Sequence, residues 1–173
     1  MATQLTKQEI LRQRADILSR KVQDTAPVAA TEELVCFSMA GERYGVVSRL
    51  VGEITPLRNR VALPGTPSFV WGITNLRRRI VSLVNLHALF GIPGEPSEEG
   101  TVVLLSNGVM EFGLVADTID GVAAITLAGL QRSLPGLIGP GAHFLLGLTP
   151  DRRIVIDAEK LLTDPTLVVR DER

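Results

Sequence analysis

Cysteine is nearly absent from this chain: Cys36 is the only one among 173 residues. An intrachain disulfide is therefore excluded, and a reducing compartment is the natural setting. Cysteine-pair zinc spacings go with it. The two histidines, His87 and His143, do not form an HExxH pair. None of the three lysines follows a glycine, so there is no phosphate-cradling Walker loop; GxGxxG and GxSxG are missing too. No apolar run approaches the roughly 18 residues of a membrane helix. The opening MATQLTKQEI lacks the apolar block of a signal peptide, which makes a cytoplasmic location the expectation. Basic excess is lacking as well. Five basic and three acidic side chains fall in the first 24 residues, leaving 13 basic and 16 acidic in the body. With one Trp and one Tyr, the body offers neither the basic track nor the stacking platform of a nucleic-acid binder.

What is present is hydrophobic and finely punctuated. Hydrophobic residues make up 45% of the chain and charged ones 21%, enough for one domain or two small lobes sharing a core. Thr6-Lys7-Gln8-Glu9 fits a capping box flanked by the staple pair Leu5 and Ile10. Ile10, Leu11, Ile17, Leu18 and Val22 then form a narrow apolar stripe on a helix predicted to reach about Lys21. That helix either packs on its own domain or docks on a partner. Residues 24–31, DTAPVAAT, read as a linker, so residues 1–30 are expected to stand apart from a domain over 31–173.

From Leu34 the pattern becomes short Val- and Ile-rich runs separated by Gly, Pro, Asn or Asp: LVCFSM, YGVV, LVGEI, FVWGIT, RIVSLV, VVLL, FGLVA, VAAIT and RIVI. This is the signature of an all-β sandwich or barrel. The runs also repeat. Tyr44-Gly45-Val46-Val47 with Val51 and Ile54 matches Phe112-Gly113-Leu114-Val115 with Ile119 and Val122. GITNLRRRIV (72–81) matches GLTPDRRIV (147–155), and LVNLHALF (83–90) matches VIDAEKLL (155–162). Asn85 and Asp157 stand where each short helix wants its N-cap, and Gly91 where the first one stops. Each half is about sixty residues, marginal for folding alone. Two packed lobes are expected, divided near GIPGEPSEEG (91–100).

Candidate chemistry is sparse. His87 falls in the predicted helical turn NLHALF, where a packed or surface histidine is commoner than a ligand. Cys36 sits in a strand between Val35 and Phe37, where a buried inert thiol is the plainer reading. Asp117 and Asp120 could be paired carboxylates, but at a strand end solvated or turn-forming aspartates are commoner. LPGTP (63–67) is a turn. No catalytic residue, cofactor or metal is assigned. A hydrolase or isomerase using His87 or His143 is the rival reading, and loss of an activity on substituting either would promote it.

Arg77, Arg78 and Arg79 interrupt the apolar pattern. By analogy with Arg152 and Arg153 after Thr149-Pro150-Asp151, they are expected at a hairpin turn on a lobe's rim. A solvated turn is one explanation. The other is an anchor for a partner protein, since guanidinium forks suit carboxylates at interfaces.

At this point the sequence resembles the bacterial chemotaxis coupling proteins, the CheW-like family. The matching residues are Leu34-Val35-x-Phe37, Tyr44-Gly45-Val46, Val51-x-Glu53-Ile54, Pro64-x-x-Pro67-x-Phe69-Val70-x-Gly72-Ile73-x-Asn75-Leu76-Arg77, Gly113-Leu114-Val115-x-Asp117, and Ile154 to Leu162. The resemblance covers about residues 32–164, and Pro64 to Arg77 is its most specific part. It implies two packed five-stranded, SH3-like β-barrel lobes in one all-β domain, with the N-terminal helix added outside it. It also implies a non-enzymatic adaptor between the helical cytoplasmic tip of a chemoreceptor and the regulatory domain of a histidine kinase, recruited to receptor arrays. Carried over by position, Val51 and Glu53 line the receptor groove, Arg77 stands at its edge, and Gly113 keeps the second lobe's wall low. Arg78 and Arg79 are further partner-binding candidates. The family usually has Gly, Pro and Asp where this chain has Arg78, Ser82 and Asn85. A paralogue serving twitching, gliding or another receptor pathway is therefore equally allowed. A small-barrel nucleic-acid binder is the remoter alternative.

Overall fold

A computed structural model describes residues 30–132, 139 and 141–167. The expected N-terminal helix lies outside the described residues. Ten strands and two short helices follow in chain order. They are β1 (Thr31–Met39), β2 (Glu42–Val47), β3 (Val51–Pro56), β4 (Val70–Leu76), β5 (Arg79–Val84), α1 (Leu86–Phe90), β6 (Thr101–Ser106), β7 (Glu111–Ala116), β8 (Thr118–Thr126), β9 (Leu145–Leu148), β10 (Ile154–Ile156) and α2 (Ala158–Thr163). The apolar runs became strands because β-branched residues fit a pleated, buried surface. The helices stop at a turn or two. Asn85 caps α1 by accepting from Ala88 N at 3.1 Å, and Asp157 caps α2 by accepting from Lys160 N at 3.0 Å. Gly91 ends α1 in the left-handed conformation at φ 66°.

Two five-stranded sheets form, as expected, but they are not the two sequence halves. One has the order β8-β1-β2-β10-β9, the other β3-β6-β7-β5-β4. The repeat is β1 to α1 followed by β6 to α2. Each repeat gives its first two strands to one sheet and its last three to the other. Parallel pairing seals the exchange: β10 lies on β2 (Val155 opposite Gly45), and β5 lies on β7 (Leu83 opposite Gly113). The lobes therefore do not divide at 91–100. That segment joins α1 to β6, inside the run of strands that builds the second sheet. In each sheet the segment that follows one outer strand bridges back to the other outer strand, Val61 to Ile73 of β4 and Gln131 to Leu148 of β9.

Buried side chains fall into two clusters. The larger runs between the sheets and through the first lobe, with Leu34, Phe37, Tyr44, Val46, Leu105, Phe112, Leu114 and Ile156. The smaller fills the second barrel with Leu57, Trp71, Leu76, Val81, Leu83, Val102, Leu104 and Val115. β7 is buried on both faces, Phe112 and Leu114 in one cluster and Val115 in the other, which explains its unbroken apolar run. Each such side chain contributes about 1.5–3 kcal/mol on burial.

Candidate functional site

β3 begins at the seam between the lobes. A single 3-10 turn, Ser48–Leu50, carries the chain from β2 in the first sheet to β3 at the edge of the second. Along β3, half-buried Val51, Glu53 and Thr55 alternate with exposed Gly52, Ile54 and Pro56. Val51 packs against the larger core. A bulge at Gly52 interrupts the ladder, since Val51 faces Leu105 and Glu53 faces the adjacent Leu104. The same bulge recurs in β8, where Ile119 faces Phe37 and Gly121 faces Cys36.

The arginines sit at the tip of the β4–β5 hairpin. Leu76 pairs with Arg79, which leaves Arg77 and Arg78 as a two-residue loop. Both have positive φ, 49° and 68°, the signature of a type I′ turn. Such turns favour Asn and Gly, because a side chain costs about 1–2 kcal/mol in the left-handed region. Asn75 helps to hold the turn, its Oδ1 accepting from Arg78 N at 2.9 Å. The two flanking arginines then fasten the tip. Arg77 Nε lies 3.1 Å from Glu53 Oε1, and Arg79 Nη1 donates to both carboxylate oxygens of Glu111 at 2.7 and 2.9 Å. The Arg78 side chain makes no ion pair among the described residues.

The expected equivalence of Arg77–Arg79 with Arg152 and Arg153 does not hold. Gly72 pairs with Leu83 and Gly147 with Val155, while Leu83 and Val155 make matching parallel pairs with Gly113 and Gly45. Counted from those fixed points, the β4–β5 hairpin is three residues longer than β9–β10. The arginine tip is therefore an arm that only one lobe possesses. At the shorter tip, Thr149 N donates to Arg153 O at 2.9 Å and Arg152 takes the left-handed φ of 64°.

Of the four residues assigned to the groove, Glu53 and Arg77 meet directly, and Val51 shares strand β3 with Glu53. Gly113 is elsewhere. A Cβ there would come within 2.6 Å of Val102 Cγ1 and 3.0 Å of Leu83 Cδ2, so its bare α-carbon faces the second barrel's interior and not an outer wall. Gly45 has the same reason, with Leu34 Cδ1 2.9 Å from its Cβ position.

The remaining candidates are structural. Cys36 is buried, its Sγ 3.5 Å from Leu34 O, and burial pushes the thiol pKa up. Asp117 accepts from Ala40 N at 2.9 Å, and Asp120 from the Ser38 hydroxyl at 2.7 Å, so both hold turns. His87 is buried with Nδ1 3.2 Å from Pro93 O. His143 is half-exposed, 3.7 Å from Asp164. Among the described residues no three His, Cys, Asp or Glu side chains gather as metal ligands.

One unit escaped the sequence. The Arg60 guanidinium stacks 4.1 Å from the Trp71 ring centroid, donates to Trp71 O at 2.6 Å, and pairs with Glu98. Trp71 Nε1 in turn donates to Glu95 at 3.0 Å. These contacts pin the 91–100 segment to β4. A lone Trp with unassigned carboxylates in the next loop was the available signal.

Residues 33–166 match the family described as the CheW-like domain. The chain belongs to that family. It is 29% identical over 144 residues to Chemotaxis protein CheW of Klebsiella aerogenes, covering 81% of this chain and 87% of that protein. Chemotaxis protein CheW of Treponema pallidum is 30% identical over 152 residues, with coverage of 82% and 89%. Protein FrzA of Myxococcus xanthus is 34% identical over 122 residues, with coverage of 68% and 73%. Among solved structures, the scaffolding protein TtCheW of Thermoanaerobacter tengcongensis superimposes with a TM-score of 0.63 at 27% identity, over 76% of this chain and 87% of that one. The CheW-like fold expected from the sequence is thus present, and the chain is a scaffold-type chemotaxis domain like these relatives. No helix among the described residues is long and apolar enough to cross a membrane.

Proposed function

We propose that this CheW-like chain is a non-enzymatic adaptor that holds a chemoreceptor's helical cytoplasmic tip and the regulatory domain of a histidine kinase together. It would act in the cytoplasm at receptor arrays, without cofactor or metal. The observation that carries the reading is the Glu53–Arg77 pair beside Val51. It sets a fixed cation, with its side chain 80% exposed, at the rim of the strand that crosses between the lobes. Glu53 orients the guanidinium and leaves its remaining donors free for a partner's carboxylates or backbone carbonyls. Val51 supplies the apolar floor. Two partners held at once gain strength from effective concentration, so each contact can be modest. Gly113 contributes through the packing that keeps β5 against β7.

The test is Arg77→Glu in co-sedimentation with receptor arrays. Association should fall while the circular dichroism spectrum and melting curve stay as they are; undiminished co-sedimentation would remove Arg77 from the site.

A second reading is a chemosensory pathway other than swimming. Two observations favour it: Arg78 stands at a left-handed turn position where glycine would be unstrained, and one relative carries the separate name FrzA. Pull-down of the chain's own receptors and kinase from its native cell decides between the pathways.

A further inference from the structure

Arg60 and Trp71 hold a stretch of chain that is otherwise fixed only at its ends. At the near end, Ile92 N donates to His87 O at 2.8 Å, and the Ile92 side chain packs against the larger core. At the far end Gly100 is locked. Its carbonyl accepts from Leu57 N at 2.9 Å, and a Cβ there would come within 2.7 Å of Ala116 O. Of the seven residues between, 93–99, only Pro96 is buried. The others are exposed or half-exposed, and Gly94 takes a left-handed φ of 99°. What holds this middle is polar. Glu95 accepts from Trp71 Nε1 at 3.0 Å, Glu98 accepts from Arg60 Nε at 2.8 Å, and Pro93 O lies 3.2 Å from His87 Nδ1.

Two conditions favour release. The Glu98 side chain is 60% exposed, so its pair with Arg60 stands where salt screens it. The closed arrangement also carries a cost at His87. By the matched caps Asn85 and Asp157, His87 stands where Glu159 stands in the second repeat. The Glu159 side chain is 64% exposed. His87 is instead buried beside Gly94, whose Cβ position is 3.6 Å from Nδ1, and its Nε2 has no hydrogen-bond partner among the described residues. A buried nitrogen without a partner costs free energy that contact with water restores.

We propose that residues 93–99 are a strap with two positions, closed while Glu95 and Glu98 hold Trp71 and Arg60, and opened by salt between the fixed points Ile92 and Gly100 with both sheets intact. Opening bares the indole, which belongs to the second barrel's core, and frees the Arg60 Nε and Nη2 donors with it. The second barrel thereby has a closure of its own, set by ionic strength. Neither position depends on the adaptor reading.

Trp71 is the only tryptophan, so its emission in the full chain reports the strap directly. The measurement is quenching by acrylamide, a neutral probe, with far-UV circular dichroism followed in parallel. From about 0.02 to about 1 M NaCl, the wild-type quenching constant should rise at least about twofold while the dichroism stays as it is. Glu95→Gln with Glu98→Gln keeps the side-chain shapes and removes both charges. It should raise quenching at least about threefold at low salt, with little further response to NaCl. Glu99→Gln is the control, since Glu99 lies on the same strap and bonds to neither Arg60 nor Trp71; it should quench as wild type does. Quenching that ignores salt in the wild type, or ignores the two substitutions, overturns the proposal. So does an equal effect of Glu99→Gln, which would assign the change to net charge. Quenching that rises only as the dichroism is lost overturns it too, because the segment then opens with the barrel and not ahead of it.

Discussion

Glu53 and Arg77 form an ion pair across 3.1 Å with very unequal exposure, the carboxylate side chain 18% accessible and the guanidinium side chain 80%. The inner partner is held and the outer one is offered. An exposed pair of this kind stabilises a fold by about 0–1 kcal/mol, so a value in binding is the better reason for its geometry. Reversing it, Glu53→Arg with Arg77→Glu, should restore the local pair and change stability by less than about 1 kcal/mol. Receptor association should nonetheless stay weak, because the offered charge is now negative. Equal rescue of binding would mean that only the pair's rigidity counts.

Arg78→Gly should stabilise the protein. Its φ of 68° strains any L side chain, and glycine removes that strain at some cost in unfolded-chain entropy. The net gain should be about 0.5–1 kcal/mol, read as a higher urea midpoint with unchanged slope. If the midpoint falls, the arginine makes a contact that outweighs its turn.

Gly113→Ala should destabilise by about 1–3 kcal/mol, because the new methyl meets Val102 and Leu83 inside the barrel. Any loss of partner binding should then follow the loss of stability and recover at lower temperature. Binding lost at full stability would return Gly113 to the interface.

Asp151 predicts an acid dependence. The Thr149 hydroxyl bonds to its carboxylate, and Arg153 and Arg43 lie near, so its pKa is held below the ordinary 3.8. A depressed carboxylate stabilises the fold above its unfolded value and loses that contribution as pH falls through its folded value. Asp151→Asn should therefore unfold more easily than wild type at neutral pH, with the two converging in thermal melts once the pH has fallen through the lowered folded value. A gap that persists in acid would assign the effect to shape and not to charge.

The sequence made the strands and the repeat legible through the aromatic-Gly dipeptides Tyr44-Gly45 and Phe112-Gly113 and the caps Asn85 and Asp157, because these positions have local physical requirements. It did not reveal which sheet each strand joins. Pairing of β10 with β2 is a long-range choice that no local pattern encodes. The identical RRIV tetrapeptides drew the hairpin tips into a false match, whereas Gly72 and Gly147 mark the true register. At those two positions a Cβ would strike the bridging carbonyls of Val61 and Gln131. Glu53 and Arg77 were picked out as a site from family resemblance; their contact needed coordinates. The inward direction of Gly113 was likewise invisible, since a strand buried on both faces gives no alternation to read.

The exchange of strands between repeats also orders the assembly of the molecule in time. Every strand of the second barrel lies between Val51 and Ala116, so that barrel has all its staves once the ribosome has released that stretch. β1 and β2 emerge earlier but must wait for Ile154–Ile156 before their own sheet is whole. The barrel begun first is finished last, and a premature stop between Thr126 and Leu145 leaves one complete set of barrel strands carrying the unfinished three-stranded sheet β8-β1-β2.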